Sequence, residues 1–386
     1  MADCLFRQTE PFGFNPLPFS HIRLILMNND KGIRRRIVSL DQFRGYTVVG
    51  MLFVNFLGGY QVVPAVFKHH NTYCSYADTI MPQFFFAVGF AYRLTFLRRL
   101  ASVGLLRAAA AVVKRNVGLI LLGFVLYHLD GGAKHWSDLQ NLGVHGVLAQ
   151  AFRRELFQTL VHIALTSIWI LPVIAAGART RVIFTIVSAG LHLWLSRQFY
   201  FDWAWKTPVI DGGQLGFLTW TIPTLVGSLA YDAVGGGHDA PGLLTKLGGW
   251  SVLLMAMGYG LACCGGNLAA PPFVAPPTSH VVDLWTMSQR TGSISYLVFS
   301  TGFSLAVYTL FVLICDRWGW ELPLFRIFGQ NALAAYIIHP LVAGAVKPYL
   351  PNDAPDWFVA VGFSVYFGIC TLLNRYLDKH ELFLKL

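Results

Sequence analysis

Two histidines, His69 and His70, stand in the turn Phe67-Lys68-His69-His70-Asn71, with Asp78 nine residues after His69 and Asn55 upstream of both. An imidazole held at one nitrogen by a carboxylate keeps its other nitrogen for a substrate proton, which is the arrangement of a general base. A lone histidine is more often a hydrogen-bonded packing residue. Here Asn55 on the preceding helix and Asp78 on the following one bring three polar groups to one rim, and that convergence points to chemistry.

The elements that must carry this rim are apolar. Of 386 residues, 55% are hydrophobic and 12% are charged, with a mean hydropathy of +0.53, whereas about a quarter of an ordinary soluble domain is charged. The expected fold class is therefore all-α, a polytopic membrane bundle. Windows of about 20 apolar residues fall at 41–60, 77–97, 109–128, 156–176, 180–196, 214–234, 246–264, 292–315, 328–346 and 357–375. Roughly 20 of the 29 Lys and Arg residues fall on one side if both termini are cytoplasmic, which is the expected orientation. The paired histidines then face the other side. Residues 1–36 read as an N-terminal extension ending in a basic juxtamembrane run, with no signal-peptide pattern, and 37–386 as a single transmembrane domain. The longest outer segments, 129–155 and 265–290, are expected to be loops. The basic residues lie in short connections, a topology signal that excludes a nucleic-acid face. The six cysteines have no metal-ligand spacing, so no metal and no disulfide framework is expected. No internal repeat is evident, and Gly58-Gly59 permits close helix contacts within one chain or in a homodimer.

Ionisable and amide groups at membrane depth each cost at least ~2.5 kcal/mol when charged, so they tend to line cavities. Asp41 and Arg44 lie at the inner mouth of the first span, where Asp41 also suits a helix cap. Gln158 and His162 share a helix face, and Asn331, Tyr336 and His339 follow on a late span. Each also has a plain reading as an interhelical hydrogen-bonding residue. Pro340 after His339 frees a backbone carbonyl and marks a kink beside a cavity. Gly235-Gly236-Gly237 lacks the context of a nucleotide loop.

At these residues the chain resembles the transmembrane acyltransferases typified by heparan-α-glucosaminide N-acetyltransferase. The similar segments are Ser39-Leu40-Asp41-Gln42-Phe43-Arg44-Gly45, Phe53-Val54-Asn55, Phe67-Lys68-His69 and the run from Ala77-Asp78-Thr79 to Ala87-Val88-Gly89. Weaker echoes are Leu156-Phe157-Gln158, Leu284-Trp285-Thr286-Met287-Ser288 and Gly329-Gln330-Asn331-Ala332-Leu333-Ala334-Ala335-Tyr336. The resemblance implies transfer of an acetyl group from cytosolic acetyl-CoA to an amino sugar or other glycan acceptor across the membrane. The expected setting is a bacterial cytoplasmic (inner) membrane. His69 takes the base role by motif, or that of a transient acyl acceptor, with Asp78 orienting it and Asn55 as oxyanion donor. The segment after it is one residue shorter than the family pattern, which leaves His70 open as well. Arg44 with Asp41, and the basic stretch from Arg93 to Arg115, are expected at the CoA phosphates, and Gln158, Asn331 and Tyr336 along the pantetheine arm. An O-acetyltransferase acting on a glycan hydroxyl stays open. So does a different class, a transporter or flippase for a sugar or lipid-linked intermediate, in which the same groups hold cargo.

Overall fold

The structure, a computed structural model, describes residues 37–128, 135–151, 156–207, 209–235, 242–265, 268–276 and 281–384. The expected extension 1–36 lies outside the described residues. Regular structure among these residues is helical, with no strand. In chain order the helices are α1 (Val38–Leu57), α2 (Tyr76–Val103), α3 (Leu105–His128) and α4 (Trp136–Ala151). Then come α5 (Thr159–Trp169), α6 (Ala178–Leu195), α7 (Phe201–Lys206) and α8 (Phe217–Gly235). The last are α9 (Leu243–Ala262), α10 (Ile294–Phe311), α11 (Pro323–Gln330), α12 (Ala332–Val346) and α13 (Asp356–Lys379).

Five stretches, Tyr76–Val103, Leu105–His128, Leu243–Gly265, Ile294–Arg317 and Asp356–Lys379, are long and apolar enough to cross a bilayer. Their burial sorts them. The windows in α2 and α10 are mostly inside the protein, while those in α3, α9 and α13 turn residues such as Leu121, Val252 and Leu372 outward. Apolar faces of that extent suit lipid and not water, so this is an integral membrane protein of helical fold.

Glycines decide how closely the helices cross. A Cβ on Gly89 of α2 would collide with the Thr224 carbonyl of α8, and one on Gly227 of α8 with the Phe86 carbonyl of α2. The same reciprocity joins Gly45 of α1 to Phe325 and Gly329 of α11 to Asp41. In lipid, where apolar burial drives little, such backbone contact is a main source of helix association. Gly89→Val is therefore expected to cost at least the usual ~1–3 kcal/mol of overpacking, because a carbonyl cannot move aside as a side chain can. A thermal melt in detergent reads this out, with Gly190→Val as the control because nothing lies within 4 Å of a Cβ there. Equal melting of the two variants would contradict the crossing.

The motif at the start of α1 serves mainly to hold α11. Gln42 donates to the Leu322 carbonyl (3.2 Å) and accepts from the Leu322 N–H (3.1 Å), pinning the extended segment that enters α11. Phe43 packs edge-on against Phe86 and Tyr308, with centroids 5.7 Å away in both cases. Asp41 is not the cap: Ile37 is the N-cap residue, and Asp41 lies in the first turn, 3.9 Å from Arg44.

Two further differences from the sequence reading matter. The expected continuous span at 328–346 is broken at Asn331 (φ −112°, ψ 35°), which separates α11 from α12. Part of the expected outer loop 129–155 is instead α4, kinked at Gly143 where φ is 58°. Its apolar residues recur at three- and four-residue steps on either side of the kink (Trp136, Leu139, Leu142, then Val144, Val147, Leu148), a helical spacing in a segment too short to span a bilayer.

Candidate active site

Pro82 shapes the start of the site. It lies one turn into α2 and has no N–H for the Asp78 carbonyl, which instead accepts the Tyr296 hydroxyl at 2.6 Å. That bond ties the first turn of α2 to α10. Asp78 itself forms a capping box with Ser75: the Ser75 hydroxyl accepts from the Asp78 N–H (3.2 Å), and Asp78 Oδ2 accepts the Ser75 N–H (3.0 Å). Oδ2 also accepts the His70 N–H (3.3 Å), and Oδ1 lies 2.9 Å from His69 Nδ1. The carboxylate is 1% exposed, so the turn is folded around it.

The two histidines consequently part. His70 is engaged away from the cavity, with Nε2 at 2.8 Å from the Ala65 carbonyl and its ring stacked on Tyr73 (4.4 Å). His69 keeps a 46% accessible side chain that lines the large cavity described below. Its Nδ1 is shared by Asp78 and Gln289 Oε1 (3.1 Å), both acceptors, so the proton belongs on Nδ1 and the lone pair on Nε2. Gln289 in turn donates to Asp211 Oδ1 at 2.6 Å. Burial opposes a charge on His69, but the hydrogen bond and charge of Asp78, with Asp211 and Gln289 adding, lift its pKa above 6.5. Asp211 is pushed up to about 6 by burial, against the Gln289 hydrogen bond and the His69 charge.

Pro340 repeats the Pro82 device. The Tyr336 carbonyl it releases is taken by His339 Nδ1 at 2.7 Å, leaving His339 Nε2 to accept from Asn55 Nδ2 at 3.4 Å. Asn55 is thus aimed from α1 into the same space as His69. The Tyr336 hydroxyl meets that of Tyr127 at 2.7 Å across α12 and α3.

One cavity of about 1040 Å³ joins these groups to the opposite end of the bundle, at the upper end of ordinary ligand pockets. His69, Asn71, Asp211 and Gln289 line it at one end, and Arg44, Arg99 and Arg115 at the other. Arg44 and Arg99 are near enough to Arg115 to act on its charge. The 21-residue separation of Asp78 and Arg99 along α2 corresponds to about 31 Å, the thickness of a bilayer's hydrocarbon core. Tyr127, Gln158, Gln330, Tyr336 and His339 line the path between.

No family model and no curated protein matches this chain. Of the residues singled out in the sequence, His69, Asn55, Arg44, Gln158 and Tyr336 line it, and Asp78 lies directly behind His69. Arg93 does not reach it. Its guanidinium is 2% exposed and bonded to Asp232 (3.1 Å) and to the Ile174 carbonyl, and Arg181 joins the same carboxylate, so this charge is spent on holding α2, α6 and α8 together. Asn331 also stays off the surface, although its neighbours Gln330 and Ala332 line the cavity where the helix breaks, the setting in which non-helical backbone is tolerated at membrane depth. Asp211 and Gln289 join the site without a motif in the sequence to mark them. No group of three or more His, Cys, Asp or Glu suited to a metal occurs among the described residues.

Proposed function

We propose that this protein is a membrane-embedded acyltransferase that moves an acetyl group from cytosolic acetyl-CoA to an amino sugar or other glycan acceptor on the opposite side. The observation that carries the reading is the single cavity with arginines at one end and a carboxylate-held imidazole at the other. In this reading the chain crosses the bilayer at the ten sequence windows, 156–176 and 328–346 as interrupted helices, both termini are cytoplasmic and the membrane is a bacterial inner membrane. Arg44, Arg99 and Arg115 hold the CoA phosphates, and the slim pantetheine arm runs up past Tyr127, Gln158 and Tyr336. His69 Nε2 takes the proton of the incoming nucleophile while Asp78 fixes the Nδ1–H tautomer. An amide N–H of Asn55 meets the charge that develops on the thioester oxygen. His69 then returns the proton to the departing thiolate.

The test is purified protein in sealed proteoliposomes, with radiolabelled acetyl-CoA on one face and a glucosamine-ended oligosaccharide on the other. Labelled acetyl-oligosaccharide is the expected product, and disruption of the vesicles is not required for it. Uptake of the oligosaccharide without any CoA, and no acetylated product, would instead identify a transporter.

A further inference from the structure

Asp211 is a buried carboxylate held by backbone it cannot escape. Its residue has φ 57°, its carbonyl accepts the Trp220 indole N–H at 2.7 Å, and the next carbonyl, Gly212, accepts the Tyr200 hydroxyl at 2.5 Å. Asp enters this left-handed region more readily than most residues, and the two backbone contacts hold its side chain at 3% exposure. One oxygen, Oδ1, accepts Gln289. The residue lines the cavity, and among the described residues no hydrogen bond reaches Oδ2 and no Lys or Arg pairs with it. The nearby Arg290 is directed elsewhere, to the Thr207 carbonyl (3.0 Å) and over the Trp205 ring. A buried carboxylate oxygen that meets no donor is costly, so the missing partner belongs to the ligand.

We infer that Asp211 is a second catalytic residue, which docks the primary ammonium of the acceptor through Oδ2 and takes its first proton, leaving the second to His69. This rests on the acyltransferase reading. An amine titrating like an α-amino group, near about 7.7–8.0, is mostly protonated at neutral pH. It must lose one proton before attack and another as the N–C bond forms. The ammonium and the thioester thus give amide, thiol and one released proton: the C–S bond breaks, His69 passes its proton to the thiolate, and the Asp211 proton leaves through the outer mouth. A hydroxyl acceptor sheds one proton and needs no second base. Asp211, raised to about 6 by burial, is ionised at pH 7 yet basic enough to share the ammonium proton. Gln289, bonded to both carboxylate and imidazole, holds the two bases at one spacing. The other ionisable groups facing Asp211 are His69, Asp78, Tyr127, Tyr296, Tyr336 and Arg290.

Calorimetric titration of the full-length protein in detergent tests the assignment without any acetyl transfer. A glucosamine-ended tetrasaccharide is compared with its glucose-ended isostere at pH 6.5 and pH 9. Wild type is expected to favour the cationic sugar at pH 6.5 and to lose that preference at pH 9. Asp211→Asn, which tolerates the same backbone conformation, is expected to bind the cationic sugar about 10- to 100-fold more weakly at pH 6.5. It should bind the neutral sugar and acetyl-CoA as wild type does, which reports an intact fold. No preference in wild type, or an equal preference in Asp211→Asn, overturns the assignment. Absence of labelled product from wild type bears instead on the acyltransferase reading.

Discussion

Replacing His69 with alanine is expected to lower acetyl transfer by about 10²- to 10⁴-fold, the range a positioned general base supplies, while His70→Ala keeps most of it. The asymmetry follows from the turn. Asp78 binds the His69 ring and only the backbone N–H of His70, which alanine retains, and the His70 ring is spent on Ala65 and Tyr73. The acid limb of the pH–rate profile makes this specific. His69 acts as base only when neutral, and its pKa in the folded protein lies above 6.5, so the rate should fall as pH drops through a value above 6.5. Asp78→Asn removes the partner that raises this pKa, so the limb should move to lower pH while the plateau falls through loss of orientation. The same shift acts on stability in the opposite sense: the contribution is full below pH 6.5 and is lost as pH rises through the raised value. The measurement is initial rate against pH for wild type and the three variants. A full rate from His69→Ala beside an inactive His70→Ala would transfer the role to the neighbouring residue.

Much of this rim is legible in the sequence because its parts are local. Asp78 follows His69 by nine residues and opens a helix, which fixes both the cap and the reach of the carboxylate. Pro82 and Pro340 each announce one freed carbonyl, at Asp78 and Tyr336, and in both cases a side chain answers it. Asp211 and Gln289 are not legible in this way. They reach His69 from loops far along the chain, and no periodicity links a turn at Asp211-Gly212-Gly213 to a histidine on another connection. The one available signal is that Gln289 sits in a polar run, Ser288-Gln289-Arg290, at the end of the motif segment Leu284-Trp285-Thr286-Met287-Ser288. Arg93 misled for the opposite cause. Its position among basic residues near the inner mouth says nothing about Asp232, which lies on α8 and claims its charge. Likewise the apolar run 328–346 hides its break, because Gln330 and Asn331 interrupt the hydrophobic pattern for only two residues.

Loss of the inner arginines should separate binding from chemistry. Arg44→Gln combined with Arg115→Gln is expected to raise the KM for acetyl-CoA by about 10- to 100-fold, since the pair together removes charge-assisted hydrogen bonding worth about 1.5–3 kcal/mol to the phosphates. The value of kcat should change little, because those residues line the cavity beside Arg99, which lies about 31 Å along α2 from Asp78 by the 1.5 Å rise per residue, and do not touch the reacting atoms. Acetyl-pantetheine, which lacks the nucleotide phosphates, supplies the decisive comparison: its KM should be high in wild type and unaffected in the variant. Raising the salt concentration should weaken acetyl-CoA binding in wild type and have less effect in the variant. Arg93→Gln is the contrasting case. It leaves Arg181 facing Asp232 without its second cation and should lower thermal stability while leaving the KM for acetyl-CoA unchanged. If Arg93→Gln raised that KM and the Arg44 and Arg115 pair did not, the donor would enter by the Asp232 cluster, and the cavity arginines would serve only to orient the protein in the bilayer.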